Sequence, residues 1–196
     1  MTDTASYQIA LLTGQSDRRR WALSPAQRDF LASVSMPQGA RVGNNFPYWT
    51  GSPDYRPSPL AKASINNALI YIWSRSRAFR DTYSHSVLQL IAGRERTIFL
   101  AGSCGLELFN NLNLPVDVIR KVSIFAYGPV ARRRPDCVHL LVGATRDSIS
   151  KHYFPAPDHI VDSGHMNYLS NPIVRTLCRE FIERVTRSPT DRRALE

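Results

Sequence analysis

The residues with the most chemical potential lie in the stretch 97–108, Thr-Ile-Phe-Leu-Ala-Gly-Ser-Cys-Gly-Leu-Glu-Leu, where an apolar run ends on small residues and passes into a helical pattern. A hydroxyl or thiol on such a strand-to-helix turn is held in a strained backbone and projects beyond the sheet, the setting of a nucleophile in acyl transfer. The turn demands small residues two positions before and after the nucleophile. With Ser103 these are Ala101 and Gly105; with Cys104 they are Gly102 and Leu106, and the leucine would crowd the helix against the strand. The spacing therefore predicts Ser103 as the attacking group, with the backbone N–H of Cys104 aimed at the developing oxyanion. Two rival readings share the stretch. One is an ordinary strand-to-helix turn eased by glycine. The other is a phosphate-binding loop, which fits worse because no lysine follows in the Walker position and no complete Gly-x-Gly-x-x-Gly is present.

A serine hydroxyl needs a base, and the base needs an orienting group. After the apolar run 138–142 comes Asp147, and after a short run at 159–161 comes His165, directly behind Gly164. Asp158 and Asp162 compete for the acid's role. Asp162, three residues before the histidine and within or just after its strand, ranks second. The loop after the first apolar run, Thr13-Gly14-Gln15-Ser16, is the expected source of a second oxyanion donor, the backbone N–H of Gln15. His139 alternates within a strand pattern and reads as a hydrogen-bonded structural residue; His85, His152 and His159 read as surface or turn residues. Trp21, Trp49 and Trp73 read as packing.

These side chains need elements to bring them together. Residues 7–13 read as a strand ended by Gly14, and Ser24-Pro25 as a cap opening a short helix through Leu31 and Val34. A second strand is expected within 41–48, weakened by Gly43 and Pro47, followed by a proline-rich loop at 51–59. From Leu60 to about Arg80, Ile65, Leu69, Ile72 and Trp73 recur at three- and four-residue steps, which predicts one long helix, with a turn or two more at 87–91. Continuous apolar runs at 97–101, 122–126, 138–142 and 159–161 read as buried strands, and 172–185 as a closing amphipathic helix. Strands alternating with helices predict an α/β fold, a three-layer sandwich about a mainly parallel sheet, whose strand ends share one edge.

Residues 97–185 resemble the C-terminal half of an α/β hydrolase. The turn resembles that family's small-x-Ser-x-Gly elbow, with Ala101 where glycine is usual, and Gly143–Asp147 and Gly164-His165 resemble its acid and histidine loops. Two strands that often begin the family's sheet are missing, so the expected form is trimmed. The resemblance implies a Ser103–Asp147–His165 triad in the order usual for that fold, acting on an ester or thioester through an acyl-enzyme. The short link at 127–136 leaves no room for a helical lid there, so any cover must come from 51–59 or the helix after it.

Composition bounds the partners. A chain of 196 residues, 43% hydrophobic and 21% charged, fits an ordinary globular protein, read here as a single domain over 1–196 with a flexible tail from about 187. Three scattered cysteines form neither a disulfide framework nor a metal set, so no metal and no cofactor are expected, and a cytoplasmic location is. No run is long enough to span a bilayer, and no signal-peptide pattern opens the chain. The net charge of +9 collects partly in Arg18, Arg19 and Arg20 and in Arg132, Arg133 and Arg134, both triplets after strand ends. They predict a basic rim for an acidic acyl carrier protein or a coenzyme A ester; the alternative is a solvated rim without a partner. Two further readings stay open: a hydrolase-like scaffold without catalysis, and a nucleic-acid binder supported by charge alone.

Overall fold

The central strands of the sheet alternate between two apolar layers, and that alternation sets the architecture. The computed structural model describes residues 6–34, 36–37, 39–45, 47–48 and 52–187. Six strands, β1 (Tyr7–Leu12), β2 (Arg41–Asn45), β3 (Arg96–Gly102), β4 (Val122–Tyr127), β5 (Val138–Arg146) and β6 (His159–Gly164), form one sheet in the order β2-β1-β3-β4-β5-β6. Every neighbouring pair is parallel. Ile9, Leu11, Ile98 and Leu100 pack on one face with Phe30, Val174 and Phe181, from helices α1 (Pro25–Ser33) and α7 (Pro172–Thr186). Ala10, Leu12, Phe99 and Ala101 pack on the other with Phe79, Val87 and Phe109, from α3 (Arg77–Ala92) and α4 (Gly105–Leu112). Burial on both faces explains why the strands read as unbroken apolar runs.

The long helix expected from Leu60 to Arg80 is two helices. α2 (Leu60–Trp73) stops where the Ser74 hydroxyl, fully buried, donates to the carbonyl of Tyr71 at 2.7 Å. Ser76 then accepts from the N–H of Phe79 at 3.1 Å and opens α3 as its cap. Both serines offer the backbone an alternative to continuing the helix. Two short helices escaped the pattern altogether, α5 (Val116–Ile119) and α6 (Ser148–Tyr153). The tail from 188 and Trp49 lie outside the described residues.

Parallel register aligns the strand ends. Leu12 pairs with Ala101, and Gly102 with Tyr127. Farther along, β5 and β6 run on together until Arg146 pairs with Gly164, so Asp147 and His165 are the next residues on adjacent strands. Where β3 turns into α4, helix and sheet nearly touch. A Cβ on Gly105 would lie 1.9 Å from the backbone oxygen of Leu12. No flexible side chain is there to yield. Gly105→Ala should therefore cost at least about 3 kcal/mol in urea denaturation, whereas Gly43→Ala, whose Cβ meets nothing within 4 Å, should leave the midpoint nearly unchanged. Equal midpoints for the two variants would refute the close approach.

Candidate active site

Ser103 stands on the turn between β3 and α4 with φ of 51°, a left-handed conformation for a residue that is not glycine. Such a backbone costs about 1–3 kcal/mol and persists only where its surroundings hold it. Here both backbone groups are clamped: the N–H of Ser103 donates to the carbonyl of Tyr127 at 3.2 Å, and its carbonyl accepts from Val130 at 3.0 Å. The side chain is thereby aimed out of the sheet. Its Oγ lies 3.2 Å from His165 Nε2. His165 Nδ1 lies 2.8 Å from Asp147 Oδ2. Because a carboxylate only accepts, Nδ1 carries the proton, and Nε2 is left to accept from the serine hydroxyl.

Asp147 is 1% exposed and fully engaged. Oδ1 accepts from the N–H of Ser150 at 3.0 Å and so caps α6. Oδ2 accepts from His165 and also from the Tyr168 hydroxyl at 2.9 Å. Burial alone would raise its pKa. The Ser150 N–H, His165 and Tyr168 outweigh that and hold the carboxyl below the usual aspartate range. Burial, with the neighbouring Asp147 carboxylate, pushes the Tyr168 phenol well up, so it stays a donor. Gly128, at φ of 53°, lets the chain leave β4 over this group; a Cβ there would lie 2.6 Å from the Tyr168 ring and 3.2 Å from Asp147 Oδ2.

The competing acids are elsewhere. Asp158 is held by Arg134 and the N–H of Leu141, and Asp162 by Thr145 and Arg146. His139 bonds the carbonyl of Cys137 at 2.8 Å and faces Arg134. Cys104 is buried, and burial pushes its thiol up to about 12, so it is no thiolate at neutral pH. Among the described residues the N–H groups of Cys104 and Gln15 bond no other residue, and both residues line the same pocket as Ser103 and His165. The Gln15 side chain reaches the carbonyls of Arg18 and Arg20 and shapes that loop.

This pocket has a volume of about 670 Å³. Its walls come from the loop after β1, from Tyr55 and Arg56, and from the face of α2 bearing Ala63, Asn67 and Tyr71. The two arginine triplets differ. Arg132 pairs with Glu107, which also pairs with Arg75, Arg133 with Asp136 and Arg134 with Asp158, so each arginine of the second triplet faces a carboxylate and none lines the pocket. Arg132 also gives its backbone N–H to the buried Glu107 carboxylate, which anchors the link between β4 and β5 to α4. In the first triplet Arg20 lines the pocket and pairs with Asp17, while among the described residues no ion pair engages the side chains of Arg18 and Arg19.

No protein-family model and no curated protein matches the chain. Among solved structures, an uncharacterized protein from Bacillus cereus superposes with a TM-score of 0.51 at 10% identity, over 95% of this chain and 61% of that one. The chain thus spans under two thirds of that protein's length, and the likeness is one of fold. A protein from Pectobacterium atrosepticum, provisionally described as a YdeN-like hydrolase, superposes over 91% of both chains at 12% identity with a TM-score of 0.43, too loose to carry weight.

The lowered carboxyl of Asp147 links to stability with a definite sign. The unfolded chain binds its proton near pH 3.9 and the folded chain only at lower pH, so the stabilisation is present above that value and is lost as pH falls through the folded pKa. Asp147→Asn keeps an acceptor for Ser150 but cannot titrate. Urea midpoints followed from pH 6 to pH 2 should fall more steeply below about pH 4 in the wild type than in the variant. Parallel curves would contradict the assignment.

Proposed function

We propose that the chain is a serine hydrolase that cleaves an ester or thioester of an acyl group through an acyl-enzyme intermediate. The observation that carries this reading is the unbroken relay from Ser103 Oγ to His165 Nε2 and from His165 Nδ1 to Asp147 Oδ2, at 3.2 Å and 2.8 Å. Both distances are within reach for proton transfer and for orienting the base. Ser103 attacks the acyl carbonyl while His165 takes its proton. The tetrahedral oxyanion receives the N–H groups of Cys104 and Gln15. His165 then returns the proton to the departing alcohol or thiol, and the acyl group remains on Ser103. Water, deprotonated by the same imidazole, attacks the acyl-serine and releases the carboxylic acid and the restored hydroxyl.

Asp147 keeps its negative charge throughout, because its hydrogen-bond partners favour the ionised form. It fixes the imidazole's tautomer and stabilises the imidazolium. Tyr168 fills a second position on the same oxygen and restricts where that oxygen can lie. The scaffold alternative would gain from a histidine unable to approach the serine, and the 3.2 Å separation weighs against it.

The substrate's carrier is a finer question. A coenzyme A ester or an acyl carrier protein would meet Arg18, Arg19 and Arg20; the pairing of Arg132, Arg133 and Arg134 with carboxylates weakens the case for the second triplet as part of that rim. Ser103→Ala should abolish turnover across a panel of acyl esters and thioesters while leaving the urea midpoint within about 1 kcal/mol of wild type. Labelling by a fluorophosphonate probe should vanish with it. Labelling that persists in the variant would move the nucleophile elsewhere.

A further inference from the structure

Most of the large exposed apolar side chains among the described residues lie on α2 or line the pocket, with Val116, Val138, Ile160 and Ile173 elsewhere. On α2, Ile65, Leu69 and Ile72 are 61%, 46% and 62% exposed, and Ile70 is the helix's one buried residue. At about 100° per residue the three fall within a stripe roughly 60° wide, with Ala61 and Ala68 alongside. An ordinary surface helix turns such a stripe to the core. This one turns Ile70 inward, lays the adjoining face of Ala63, Asn67 and Tyr71 along the pocket, and leaves the stripe in solvent. The apolar surface continues onto the pocket mouth, where Leu60, Ile149 and Met166 are each more than half exposed.

Cations border the same surface. Arg18, Arg19 and Arg56 are exposed, and Arg56 lines the pocket. Lys62, on α2 itself, is close enough to Asp17 to act on its carboxyl together with Arg20 and Arg19. The Asn66 amide donates to the carbonyl of Ser16 at 2.8 Å and ties α2 to this basic loop. Two carboxylates, Asp17 and Asp54, are set among these five cations, so the border is net positive.

We propose that the α2 stripe and the pocket mouth together form a docking face for an anionic lipid surface. Bulky aliphatic groups flanked by lysine and arginine match the two layers of such a surface, acyl chains beneath anionic headgroups. A second copy of the chain fits less well, because a two-fold contact through this face would set two basic borders against each other. An acidic protein would meet the cations but would also need a matched apolar ridge. Docking requires no turnover. Its use, admitting acyl esters from the lipid into the pocket, rests on the serine-hydrolase reading.

The test is co-sedimentation of the Ser103→Ala protein with vesicles of phosphatidylcholine, alone or mixed with phosphatidylglycerol. Partition onto the mixed vesicles should exceed that onto the neutral ones by about tenfold or more at low salt. Ile65→Gln, Leu69→Gln and Ile72→Gln combined should reduce it by about tenfold or more, and in the Ser103 background should leave hydrolysis of a water-soluble short-chain ester and the melting temperature at wild-type values. Arg18→Gln with Arg19→Gln should shrink the preference for anionic vesicles without touching the helix. Vesicle binding without ester turnover by the wild type would uphold the docking face and remove the hydrolase reading instead. The proposal is overturned if the protein ignores the mixed vesicles, or if the triple variant binds them as before. It is equally overturned by light scattering that finds a wild-type dimer which the triple variant loses, or by retention on an acidic acyl carrier protein without vesicle binding.

Discussion

The buried carboxylate of Asp147 is the constraint on which the rest of the site depends. A charge at 1% exposure is tolerable only when its lone pairs are met. Ser150, His165 and Tyr168 meet them, and each comes from a separate element: the start of α6, the end of β6 and the turn that follows it. The ion therefore fixes the turn that opens α6 against the segment that follows β6. Displacing either leaves a charge under-solvated, so the imidazole of His165 has little freedom to leave its orientation. At the other end of the relay the constraint is steric. Ser103 keeps a left-handed backbone because Gly105 presses α4 against the oxygen of Leu12 and because β4 and Val130 hold both of its peptide groups.

Most of the sheet was legible in the sequence because burial on both faces removes polar residues from the strands, leaving runs such as 97–101 and 122–126 easy to see. The chemistry-bearing positions at strand ends were legible for the same reason: once strands are parallel, residues just past their C-termini share an edge. Side-chain volume alone favours Ser103 over Cys104 at the turn, and the 1.9 Å approach that a Cβ at Gly105 would make to the Leu12 oxygen shows why position 105 must be small. What pattern could not reach depends on partners distant in sequence. The pairing of Arg132 with Glu107, that of Arg134 with Asp158, and the bond from Tyr168 to Asp147 all join residues brought together by folding. Tyr168 lies three residues after His165, and a hydroxyl so placed was the one local hint of it.

The region 60–80 shows the limit of periodicity from the other side. Ile65, Leu69 and Ile72 repeat at helical spacing and do form a helix, but spacing does not say which way a stripe points. It points to solvent. Nor does apolar periodicity register a break made by hydroxyls, and Ser74 and Ser76 end one helix and start the next through their side chains. The net charge of +9 needed the same correction from three dimensions: part of it is consumed in pairs, Arg20 with Asp17 at the pocket included, while among the described residues Arg18, Arg19 and Arg56 beside the pocket mouth are in no ion pair.

A single quantity tests whether the relay activates Ser103: the site of covalent acylation during turnover. The protein would be mixed with an activated short-chain acyl ester, quenched in acid within the first turnovers, digested and mapped by mass spectrometry. The account predicts one acyl group per chain, on Ser103, absent when His165 is replaced by alanine. An acyl group on Cys104 or Cys137 instead, or on Ser103 to the same extent without the imidazole, would contradict it.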